Sequence, residues 1–147
     1  MMRESFFGIT EQRKVAKHRF EDAKALVAAG RWRGAMYLAG YSVECLLKTK
    51  LMQKFACRHL KDLETELQQR GIMASDATVF THQLESLLRL TSALDRLRQQ
   101  AELMRLFAVV NRWVPAWRYN PNPADSDSAK GFLDAVEKLS HWIEHNI

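Results

Sequence analysis

In the run YLAGYSVECLLK, Tyr37, Tyr41, Glu44 and Lys48 recur at spacings of four, three and four. At 100° per residue these side chains fall within about 60° of one another on a helix, so two phenols, a carboxylate and an ammonium form one narrow stripe. The residues around them, Leu38, Ala39, Val43, Leu46 and Leu47, are apolar. They predict a buried helix, in which a carboxylate is among the costliest groups to leave unpaired. Lys48 stands four residues after Glu44, the favourable order for a helical ion pair, but such a pair contributes only about 0.2–0.5 kcal/mol. That does not offset the desolvation of two charges, so a further donor is required. Arg118 is the candidate: it follows Trp113, Pro115 and Trp117 in a loop whose aromatic residues can pin it against the helices. Its guanidinium suits a bidentate carboxylate contact. Two readings of the stripe stand side by side: a network that fixes helix register or a dimer interface, and a site for a ligand or RNA.

Other constellations are weaker. The segment HWIEH sets His141, Glu144 and His145 in the HxxEH pattern of one class of zinc proteases. A third ligand normally comes from farther along a chain, and two residues follow His145, so no metal is expected there. A polar face with His near the negative end of a helix accounts for the same residues. Trp32 lies between Arg31 and Arg33, and Trp113 with Trp117 lies between Arg112 and Arg118. Single-strand nucleic-acid binders interleave aromatic and basic residues in this way, while core or dimer packing is the competing use of such tryptophans. No Gly-rich phosphate loop or dinucleotide fingerprint occurs, and no cofactor is expected. Cys45 and Cys57 have no CxxC spacing, which reads as reduced thiols in a cytosolic protein, with Cys45 in the core.

The elements that must position these residues are helical. Alternating strand patterns are absent and helix formers dominate. A first helix is expected from about Thr10, as N-cap, to Ala29, stopped by Gly30, with Ala16, Phe20, Ala23 and Val27 as its apolar face. A second, central helix covers about 33–55. A short one covers 61–70 and stops at Gly71, and GIMASDATVF reads as a loop. Thr81 is a cap for HQLESLLRLTSAL, a further helix spans 95–113, and the proline-containing VPAWRYNPNPADSDS is a loop. The last helix carries Phe132, Val136, Leu139 and Ile143 on one face. Short connections between neighbours predict an all-α, up-and-down antiparallel four-helix bundle with one extra short helix.

A chain of 147 residues fits a single domain, with residues 1–9 expected as a flexible N-terminus. The start, MMRESFFGITEQRK, lacks an apolar leader core, and no stretch approaches a membrane span. A cytoplasmic protein with no membrane association is therefore expected. The net charge of +5 is uneven. Residues 1–58 carry twelve Lys/Arg against five Asp/Glu, 59–120 eight against seven, and 121–147 two against five. A basic front half suits an acidic partner such as RNA, a nucleotide phosphate or another protein, and equally an ordinary solvated set of helix faces.

The string GRWRGAMYLAGYSVECLLK following FEDAKALVAAG, then THQLESLL, then RYN before the last helix, resembles the HEPN superfamily (higher eukaryotes and prokaryotes nucleotide-binding) of small four-helix-bundle proteins. The resemblance covers the chain from about Arg19 to the last helix. It implies a homodimer acting beside a minimal nucleotidyltransferase in a two-component, toxin–antitoxin-like pair. It also implies a nucleotide or RNA binder, or a metal-independent ribonuclease. His82, in the block resembling the family's TH-x-L, is implied as a second side chain lining the groove of the stripe, with capping or packing as its alternative. Tyr119 is implied as a residue a partner could modify.

The family's ribonucleases carry Arg followed four to six residues later by His in a late helix, and here Arg118 is followed by YNPNPADSDSAK. Arg13 and His18 have the spacing, but with thirteen Arg and five His about one chance match is expected. On a helix these two side chains also stand about 140° apart. The expectation is a non-catalytic or degenerate HEPN-like domain binding nucleotide or RNA through Tyr37, Tyr41, Glu44, Lys48, His82, Arg118 and Tyr119. The alternatives are a ribonuclease toxin with an atypical site drawn from Arg118, His82 and Glu44 across a dimer, and a purely structural homodimer.

Overall fold

The computed structural model describes residues 7–147. These form helices α1 (Ile9–Ala28), α2 (Trp32–Lys54), α3 (Leu60–Gln69), α4 (Leu84–Leu90), α5 (Leu94–Arg98), α6 (Ala101–Val110) and α7 (Ser126–Asn146), with a single 3-10 turn at Pro115–Tyr119. Among the described residues there is no strand; Gly8 and His59 make an isolated bridge.

The chain is all-helical, as its composition predicts, and α2 is the central helix. Buried residues lie on every side of it, from Ala35 to Met52, because α1, α7, α4 and the 3-10 turn all pack against it. The short link from Ala29 to Arg31 turns α2 back along α1. Helix α7 runs parallel to α2. Arg33 Nε donates to the Asn122 carbonyl at one end, and Lys50 pairs with Glu144 at 3.2 Å near the other. Phe132, Val136, Leu139 and Ile143 of α7 are all buried, on the face their spacing predicts.

Three boundaries differ from the expectations. Thr10 lies inside α1; Gly8 precedes the helix, and Ile9 N–H donates to the Arg58 carbonyl at 2.8 Å, tying the helix start to the α2–α3 connection. Of the expected flexible stretch, residues 1–6 lie outside the described residues.

Thr81 does not cap a helix over 82–94. Its hydroxyl accepts from Gln83 N–H at 3.2 Å, α4 begins at Leu84, and the chain breaks at Ser92, whose φ is +65°. Nor is 95–113 one helix, since α5 ends at Arg98 and α6 begins at Ala101. In a straight helix Leu103, Leu106, Phe107 and Val110 would stand about 80–180° around the axis from Leu97. All five are buried, so the break re-aims one apolar face that an unbroken helix would leave in water. The extra short helix expected over 61–70 is α3, while the two helices expected over 82–94 and 95–113 are divided into α4, α5 and α6.

Among the described residues no helix is long and apolar enough to cross a membrane.

Candidate functional site

Glu44 is 2% exposed and has two partners. Its Oε2 accepts from Lys48 Nζ at 3.1 Å and its Oε1 from His82 Nδ1 at 2.5 Å. A carboxylate only accepts, so the hydrogen lies on Nδ1 and the neutral ring has Nε2 as its proton acceptor. Lys48 is also buried, whereas the His82 side chain is 53% exposed. The site is therefore a buried ion pair on α2 with an imidazole drawn onto it from the segment that precedes α4. That segment is anchored by Val79, which is fully buried and whose N–H donates to Glu64 at 3.1 Å. A buried carboxylate that fixes the orientation of a half-exposed imidazole is an arrangement suited to general acid/base work.

Arg118 does not supply the missing donor. Its guanidinium lies over the rings of Tyr37, 5.8 Å from the centroid, and Tyr119, at 5.0 Å. The donor that the sequence requires is His82 instead, and Arg118 serves the aromatic end of the same helix face.

What separates the two ends is Trp113. Its ring packs 6.3 Å from Tyr37 and 6.2 Å from Tyr41, and its Nε1 donates to the Tyr37 carbonyl at 2.9 Å. The indole fits only because residue 40 is glycine, since a Cβ there would stand 2.1 Å from Trp113 Cδ1. Sequence reasoning did not single out Gly40. A signal was present, a glycine within an apolar helix, which costs about 1 kcal/mol relative to Ala and so marks a close approach.

The stripe of Tyr37, Tyr41, Glu44 and Lys48 thus forms on one face of α2. Arg118 and Tyr119 stand at its N-terminal end and His82 at its C-terminal end. Tyr119 is 75% exposed. His82, Asn111, Trp113 and Pro115 line a cleft of about 400 Å³ beside the imidazole.

Burial pushes the Cys45 thiol up to about 12, with the Glu44 charge adding to the shift. It raises the Tyr41 phenol too, with Cys45 and Glu44 contributing. Neither group supplies a nucleophile at neutral pH.

The remaining candidates stay apart from this face. Arg13 and His18 are exposed residues of α1 with no hydrogen bond or ion pair between them. His141 and His145 stack at 4.2 Å, while Glu144 turns to Lys50. Among the described residues no three His, Cys, Asp or Glu side chains group so as to hold a metal ion. Trp117 packs on Phe132 at 5.3 Å, and Trp32 is half-buried against the core. The tryptophans beside arginines are therefore packing residues, and the exposed aromatic ring next to Arg118 is Tyr119. Comparison of the chain with protein-family models, curated proteins and solved structures gives no match.

Proposed function

We propose that the protein is a HEPN-like four-helix-bundle domain that binds single-stranded RNA across the α2 stripe, as a homodimer working with a minimal nucleotidyltransferase partner in the cytoplasm. The partner, the dimer and the family rest on the sequence resemblance. The RNA reading is carried by one observation: a guanidinium lying over two phenol rings and a half-exposed imidazole stand at opposite ends of one helix face. Tyr37 and Glu44 are seven residues apart, about 10 Å along a helix, so Arg118 and His82 can meet two phosphates of one strand while Tyr119 offers a ring for base stacking.

A second reading, a metal-independent ribonuclease, is favoured by the Glu44–His82 hydrogen bond. In it His82 Nε2 takes the proton of a ribose 2′-hydroxyl that attacks the adjacent phosphorus. The 5′-oxygen leaves with a proton from water, and the Arg118 guanidinium of a second copy, brought in across a dimer, stabilises the charge on the phosphate.

Fluorescence anisotropy with a labelled single-stranded RNA, in EDTA, tests both. Binding is expected to weaken about tenfold in Tyr119→Ala or Arg118→Ala, in line with the ~1–3 kcal/mol of one stacked base, with the RNA left intact. Cleavage that disappears in His82→Ala would promote the second reading. Affinity unchanged in all three variants would sink both.

A further inference from the structure

A second cavity lies on the opposite side of α2. Ser42 and Leu46, which line it, stand about 140° and 180° around the helix from Tyr37. It is a groove of about 530 Å³ between α1, α2 and α7, within the range of sites that take small ligands.

Its floor is apolar: Ala16 and Phe20 from α1 and Leu46 from α2. Arg13, Lys14 and Lys17 edge it on the α1 side. Among the described residues none of these three makes an ion pair or hydrogen bond, whereas Lys24 and Arg19 of the same helix are paired with Glu21 and Asp22. The α7 wall brings the stacked rings of His141 and His145 together with Glu137 and Glu144. Glu144 is neutralised by Lys50 at 3.2 Å, so Glu137 is the one acidic group on the rim without a partner among the described residues, against three free cations. Long basic side chains lay their methylene stems along apolar surface and hold the charge at its edge. An apolar trough with cations along one lip matches a molecule with an aliphatic body and an anionic head.

We infer that the α1–α2–α7 groove binds a single-chain fatty acid, its alkyl chain on Phe20, Ala16 and Leu46 and its carboxylate at Lys14 and Lys17. A phosphodiester backbone would leave the apolar floor unused, so this site is distinct from the RNA face and stands whether or not that reading holds.

Calorimetric titration of the full chain with dodecanoate below its micellar concentration tests the inference, with dodecanol as the uncharged control. One-to-one saturable binding is expected, at least tenfold tighter for dodecanoate than for dodecanol. The double variant Lys14→Glu/Lys17→Glu changes only exposed side chains. It is expected to lose that advantage while binding dodecanol within twofold of the parent and keeping its circular-dichroism spectrum. Ala16→Phe, which fills the floor, is expected to weaken both ligands. Equal affinity for the two ligands, or dodecanoate binding indifferent to the charge reversal, would overturn the assignment. So would sedimentation with phosphatidylglycerol vesicles without saturable dodecanoate binding, which would mark a surface attraction. A dimer whose formation excludes dodecanoate would overturn it as well, by giving the groove to a second copy.

Discussion

Glu44 draws one partner from its own helix and one from 38 residues away, and the two contacts differ in what they do. Lys48 is buried with it, so neither charge can be removed alone without stranding the other. Glu44→Ala is expected to cost about 3–5 kcal/mol in urea unfolding, whereas Glu44→Leu combined with Lys48→Met, which removes both charges and keeps volume, should cost far less. Equal losses in the two proteins would show that the ion pair is not the cause. The stripe itself was legible in the sequence because helical geometry alone brings Tyr37, Tyr41, Glu44 and Lys48 together. The further donor to Glu44 was not legible. The chain carrying Arg118 docks where Trp113 finds Gly40, four residues before Glu44 and thus about 6 Å short of it along the helix. At that level the guanidinium meets the rings of Tyr37 and Tyr119.

At the scale of elements, the first three helices end alike. After α1, α2 and α3 the residue beyond the cap takes a left-handed conformation, with φ of +73° at Gly30, +54° at Ala56 and +70° at Gly71. In each, the next N–H reaches back to a carbonyl in the last turn: Arg31 to Leu26, Cys57 to Met52 and Ile72 to Leu67. This is the paired-bond closure that favours glycine. The two glycine stops are visible in the sequence. Ala56 and Ser92, which adopt the same conformation with a side chain, are not, and the break at Ser92 is one reason the helices after Thr81 were expected longer than they are. A side chain in the left-handed region costs roughly 1–2 kcal/mol, part of which glycine returns through its more flexible unfolded chain. Ala56→Gly is therefore expected to raise stability by about 0.5 kcal/mol, seen as a higher urea midpoint with unchanged slope. A lower midpoint would show that Ala56 is not strained. Helix α7 begins differently: Asp125 accepts from Ser128 N–H at 2.6 Å, a contact that holds its carboxyl below the usual range.

Over the whole molecule, the uneven charge bears on how a polyanion would bind. Residues 1–58, which include α1 and α2, carry twelve of the 22 basic residues, so the RNA reading predicts an affinity that falls linearly with salt on logarithmic axes. The slope is about −0.7 for each phosphate contacted on a single strand, and Arg118→Ala should make it shallower by about that amount. A salt-independent affinity would point to uncharged contacts instead. The sequence by itself determined the helical class, the central place of α2, the buried face of α7 and the membership of the polar stripe. All of these follow from periodicity within one continuous segment, where fixed rotation per residue does the work. Tertiary structure alone decided that His82 and not Arg118 completes the Glu44 network, that Trp113 occupies the notch at Gly40, and that the helix after Leu94 breaks to turn its apolar face inward. Those outcomes depend on where loops land on a distant helix, and loop landing is set by the packing of buried side chains against one another, which spacing along the chain does not encode.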